Sequence, residues 1–148
     1  AKAALYAACQ TLFPQPIAVL YGPAGTYVAS DMVELLDVRG TEDVATMGSN
    51  RHRRENLELD GLITVSRGGG IEVQQQTTEQ AYAYLNTLAA YLQDVGVLPS
   101  TQVTLSGVVE DARLISHDMH ESDGLTDEDV FDGCRTTIDF TILARARV

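Results

Sequence analysis

A chain of 148 residues, 45% hydrophobic, has enough length for one real core and is read as a single domain over residues 1–148. Its 21 acidic and 10 basic residues give a formal net charge of −11, which argues against nucleic-acid binding driven by charge attraction, because that needs Lys and Arg to displace counterions. No apolar run approaches the ~20 residues of a membrane span, and an amphipathic N-terminus with one Lys is unlike a signal peptide. The start at Ala1 is as expected after removal of an initiator Met. Cys9 and Cys134 lie far apart and form no metal-type pair. They are expected as two buried free thiols in a reducing compartment, with a disulfide between them as the less favoured alternative.

Leu5, Ala8, Cys9, Leu12 and Phe13 fall on one helical stripe, so residues 1–13 are predicted as a short helix. Pro14 and Pro16 stop it. Ile17–Tyr21 is a short apolar strand closed by the turn cluster Gly22-Pro23-Ala24-Gly25. That cluster lacks the Gly-Lys-Ser/Thr ending of a phosphate loop. Met32–Arg39 is the next strand, with imperfect alternation of Val33 and Leu35 against Leu36 and Val38. Such a pattern marks a bulge or apolar contact on both faces. Residues 41–54 are read as a projecting loop, and a long loop in a compact domain points to function or disorder.

From Glu55 to Ser66 the alternation is clean. Leu57, Leu59, Ile63 and Val65 share one face; Glu58, Asp60, Thr64 and Ser66 share the other. Gly68-Gly69-Gly70 ends this strand, and Ile71–Gln76 is read as an extended tail. Thr77 or Thr78 then caps the longest helix, with Gln80 completing a capping box. Ala81, Tyr84, Leu85, Leu88, Leu92 and Val95 form its apolar stripe and Gly96 its stop. Tyr82, Tyr84 and Tyr91 read as core rim. Val103–His117 is a strand whose phase slips near residues 107–111. Residues 118–132 form a second projecting loop, with seven acidic residues and no Lys or Arg. In the last strand, Cys134, Thr136, Ile138, Phe140, Ile142 and Ala144 point one way. The predicted fold is α+β, in the order α-β-β-β-α-β-β: a mostly antiparallel five-stranded sheet with both helices on one face.

Catalytic chemistry finds little support in these residues. There is no Gly-x-Ser-x-Gly elbow, neither cysteine has an evident electropositive setting, and solvated loop acids lack the raised pKa of a general acid. No enzyme activity and no cofactor are assigned. An EF-hand reading from Asp127 fails at Phe131 and Asp132, its fifth and sixth positions. His117, His120 and Glu121 lack a further placed ligand, so no metal is assigned. Charge segregation is more telling. Arg51, Arg53 and Arg54 surround His52 on one loop, while Asp127, Glu128 and Asp129 lie on another. Opposite charges on two arms allow a head-to-tail contact between identical copies, which closes into a ring where its rotation permits.

Several features together resemble the tail terminator proteins of long-tailed phages. They are Val38-Arg39-Gly40, Met47-Gly48 followed by Arg51, Arg53 and Glu55, the Ala81–Leu92 helix, and a closing strand ending Ala144-Arg145. The resemblance spans roughly residues 17–148. It implies a structural virion protein at the head–tail junction, made in the host cytoplasm, that forms a hexameric ring. The ring would cap the tail tube, stop its polymerisation and join the head connector or head-closure protein. Genomic DNA would pass through without specific binding, and an acidic lining suits that passage. Arg51, Arg53 and Arg54 would then dock the tube or a neighbouring subunit, and Asp127, Glu128 and Asp129 a basic surface. A different neck or tube subunit is the nearer alternative; a small cytosolic metal-binding or enzyme domain is the farther one.

Overall fold

The computed structural model describes residues 1–25, 30–44, 53–69, 71–92, 111–122 and 133–147. Its elements are α1 (Lys2–Leu12), β1 (Ala18–Leu20), β2 (Asp31–Val44), β3 (Arg53–Gly68), α2 (Ile71–Leu92), β4 (Asp111–Ser122) and β5 (Gly133–Arg147). The fold is α+β, with one mixed sheet in the order β1-β2-β3-β5-β4. Among the described residues only the short pairing of β1 with β2 is parallel, and the other neighbours are antiparallel.

The alternating residues set the register. Directly opposed residues share a face, and Leu57, Leu59, Ile63 and Val65 of β3 lie opposite Ala144, Ile142, Ile138 and Thr136 of β5. This parity, together with Val33 and Leu35 of β2, joins Leu5, Cys9 and Phe13 of α1 and Ala81, Leu85, Leu88 and Leu92 of α2 in one hydrophobic cluster. We refer to this side of the sheet as the core face. At its centre Gly61 lies opposite Phe140, and a Cβ there would collide with the Phe140 ring. Glycine at this point gives the aromatic ring its room.

Two bulges break the period. In β2, Leu36 and Asp37 together oppose the single residue Asp60, since Leu35 pairs with Gly61 and Val38 with Leu59. The imperfect alternation therefore marks a bulge, and beyond it Val38 and Gly40 take the core face. In β4 the register shifts between Leu114 and Ser116, leaving Ile115 without an opposite residue. The expected slip near residues 107–111 falls almost wholly on residues 107–110, which lie outside the described set.

Other sequence expectations are corrected here. Residues 71–76 are helical, not extended. Gly69 adopts φ +130°, a conformation that favours glycine, and a Cβ there would meet Val73 Cγ2 at 2.6 Å. The helix begins directly after that turn. Thr77 is therefore inside α2 and caps nothing: its Oγ1 donates to Val73 O at 2.8 Å, four residues back. Thr78 is spent on a tertiary network, donating to Glu121 Oε1 at 2.6 Å and lying 3.2 Å from Thr136 Oγ1. Gln74 Nε2 also donates to Thr136 Oγ1, at 3.1 Å. This bridge ties the first turns of α2 to β4 and β5. Neither loop begins where expected. β2 continues to Val44 and β3 starts at Arg53, so only residues 45–52 remain between them. β4 continues to Ser122, and residues 123–132 lie outside the described set.

Candidate docking sites

The β2–β3 hairpin is divided by its bulge. On one side Met32, Val33, Glu34 and Leu35 are buried. On the other, residues 37–42 are exposed although every one from Val38 onward remains paired to β3. Val38 itself is 41% exposed on the core face. The distal half is thus an arm of three paired strands, β2, β3 and the end of β5, exposed along β2, while Leu57 and Leu59 of β3 and Ile142 and Ala144 of β5 stay in or against the core. Arg39 lies across its outer face, 3.0 Å from Asp60 and 3.6 Å from Glu58. Thr141 Oγ1 donates to the other oxygen of Asp60 at 2.9 Å.

Of the basic residues singled out in the sequence, Arg53 and Arg54 stand at the tip of this arm. They are not on a loop but in the first two positions of β3, opposite Val44 and Asp43, with Arg54 also opposite Arg147 of β5. Strand pairing continues through them because β2 and β5 both supply backbone partners. Arg51, Asp127, Glu128 and Asp129 lie outside the described residues.

At the opposite end of the sheet is a cluster the sequence reading overlooked. Asp31 opens β2, Arg67 precedes the last residue of β3, and Tyr84 projects from α2. Arg67 Nη2 donates to Asp31 Oδ2 at 3.0 Å, and its Nη1 donates to Asp31 Oδ1 and to Ser66 O. The Tyr84 hydroxyl donates to the same Asp31 Oδ2. Burial alone would raise the Asp31 pKa, but the hydrogen bonds from Arg67 and Tyr84 and the Arg67 charge outweigh it and hold the carboxyl below its ordinary value. Burial, then the bond to Asp31, pushes Tyr84 up to about 12. The hydrogen bond to Asp31 raises Arg67 further. A signal was available: Arg67 shares the parity of Leu57 and Ile63, and Asp31 that of Val33. Both charges therefore belonged to the core face and required partners.

The chemistry of this cluster is cohesive. A phenol that keeps its proton to about 12 transfers none near neutral pH. Burial likewise pushes the Cys9 thiol up to about 12, so it is no nucleophile there. Cys9 and Cys134 are both buried and are not joined in a disulfide. Strand alternation places His117 on the core face and His120 on the outer face of β4, opposite Phe140 and Thr137 respectively. One metal cannot take both from one side. Among the described residues no group of three His, Cys, Asp or Glu is placed to hold a metal. A cleft of about 500 Å³ between α1 and β1 is lined by Gln10, Phe13, Gln15, Pro16 and residues 17–20, without a titratable group. Among the described residues no helix is long and apolar enough to cross a membrane. No known protein family matches the chain, and no curated protein matches it significantly.

Proposed function

We propose that this chain is a non-catalytic, ring-forming structural subunit of the phage tail terminator type. It caps the tail tube, ends tube polymerisation and presents a surface to the head connector, with DNA passing through the ring. In this reading both helices cover one face of the sheet. The distal hairpin reaches from that body to a neighbouring subunit or to the tube. The observation that carries it is the arm itself: three paired strands, exposed along β2 past the bulge, run to Arg53 and Arg54, in a chain of net charge −11. Basic groups on an acidic protein steer one docking geometry more than they add affinity. An acidic lumen lets phosphate pass without adhering.

The resemblance noted in the sequence supplies the particle; the arm supplies the contact. Reversing both charges with Arg53→Glu and Arg54→Glu should leave secondary structure and thermal midpoint unchanged while producing unjoined heads and tails. Negative-stain images of the purified protein should show closed rings for the parent chain and fewer for the variant. Normal virions assembled from the reversed chain would remove the arm from the mechanism. Absence of the polypeptide from the head–tail junction would refute the assignment itself.

A further inference from the structure

Among the described residues β4 is paired on one side only, to β5, and stands last in the sheet. An open strand edge is a template for another strand unless it is protected. We infer that this edge pairs antiparallel with β4 of a second copy, about a twofold axis at the Ile115 bulge. This contact is separate from the arm and does not depend on the ring reading.

Register and charge select the geometry. Before the bulge, Asp111 and Arg113 face outward; after it, Ser116, Asp118 and His120 do. A pairing that matches faces across the bulge must join a residue before it to one after it. One such register sets Asp111 against Asp118 of the second copy, a like-charge pair. Another sets Arg113 against His120. The register between them sets Arg113 against Asp118, a pair occurring twice by symmetry, and sets Asp111, whose carboxylate already accepts from Arg145 of β5, against His120. Directly opposed unlike charges stabilise a strand pair and like charges weaken it.

Three further observations agree with this register. Arg113 is exposed and has no hydrogen-bond or ion-pair partner among the described residues. Asp118 lies directly opposite Asp139 of β5, a like-charge pair, with His120 Nε2 3.9 Å and 3.7 Å from their carboxylates. Arg113 of the second copy would bring a permanent cation to that acidic spot. In this register Ile115, 45% exposed, lies opposite Ser116 of the second copy and diagonally beside its own symmetry mate across the axis. A register confined to residues 116–122 also matches faces, with Asp118 against His120, but it leaves both Arg113 and Ile115 without a partner.

The test is a charge swap read by sedimentation equilibrium on the full chain. The parent should dimerise at or below ~100 µM. Arg113→Asp or Asp118→Arg alone should weaken dimerisation roughly tenfold, since each change disrupts two symmetric pairs. The double variant should recover affinity to within about threefold of the parent. Both side chains are exposed, so the fold should survive, as circular dichroism will confirm. Independently, Ile115→Cys should give a disulfide-linked dimer on mild oxidation, because the buried Cys9 and Cys134 do not compete. A parent that stays monomeric, single variants that associate as the parent does, or a double variant without recovery would each overturn the pairing. Rings that form while Ile115→Cys stays uncrosslinked would refute this contact and leave the ring reading standing. Crosslinked dimers that never form rings would do the reverse.

Discussion

The two halves of the β2–β3 hairpin share strands and pairing, yet β2 is interior in one and surface in the other. From Asp31 to Leu35, β2 is buried. Past the bulge at Leu36–Asp37 it is exposed to residue 42, with its pairing to β3 intact. Backbone pairing therefore does not tell the halves apart; what covers the side chains does. Val33 and Leu35 of β2 belong to the helices' cluster, whereas Val38 and Gly40 do not, although their β3 partners Leu59 and Leu57 lie in or against it. Stability should concentrate in the proximal half, leaving the distal half free to vary and to bind.

The largest break in this comparison should come from the proximal core. Leu88 and Ile63 are fully buried, one on α2 and one on β3. Leu88→Ala should cost about 2–5 kcal/mol in urea unfolding, through lost transfer energy and a residual cavity. Gly61→Ala tests packing from the opposite direction. Its new methyl group would enter the space of the buried Phe140 ring, with a loss of about 1–3 kcal/mol. Adding Phe140→Leu should restore part of that loss. Full additivity of the two changes would mean that the ring does not occupy the space above Gly61.

Next in size is the Asp31 cluster, which ties both hairpin strands to α2. Asp31→Ala leaves the Arg67 guanidinium and the Tyr84 hydroxyl without their carboxylate, at a cost of about 2 kcal/mol. The pH dependence has a definite sign. The folded Asp31 pKa lies below its unfolded value, so its contribution is full above the unfolded pKa and is lost as pH falls through the folded one. Tyr84 behaves oppositely: its contribution is full below the ordinary tyrosine value near ~10 and is lost as pH rises through about 12. Urea midpoints across both ranges should fall at each extreme, and Asp31→Asn should flatten the acid limb. An unchanged acid limb in that variant would move acid sensitivity to other carboxylates.

Where one apolar face repeats every second residue, the sequence displays the fold directly. The faces of β3 and β5 follow from Leu57 to Val65 and from Ile138 to Ala144, because side-chain alternation and burial carry the same period. The start of α2 was obscured by a conflict of local signals. Ile71-Glu72-Val73 alternates like a strand and Thr77 resembles a cap, but the turn at Gly69 and the Gln74–Thr136 bond lie outside any local window. The reach of β4 through Asp118 and His120 was hidden for a similar reason. Its charged residues look like loop, yet β5 offers a continuous partner and Met119 packs against the core. Of the candidate site, Arg53 and Arg54 could be named from composition. Their place within a strand could not, because it depends on backbone partners that carry no side-chain pattern.

The smallest effects should come from the distal half, and they sharpen the comparison most. Arg39 is paired to Asp60 and Glu58 across the outer face, but its side chain is 66% exposed. Solvent screening and the entropy of fixing a long side chain leave such a pair worth less than about 1 kcal/mol. Arg39→Ala should therefore shift the urea midpoint only slightly, and less still in high salt. Val38→Ser should cost no more than about 0.5 kcal/mol, since its side chain is already open to water. Both variants should nevertheless impair assembly if the arm is a contact surface, because a docked partner would cover both positions. Stability and assembly thus separate in the distal half and coincide in the proximal half. Loss of several kcal/mol from Val38→Ser would mean that the arm is packed against something in the folded protomer, and the division at the bulge would fail.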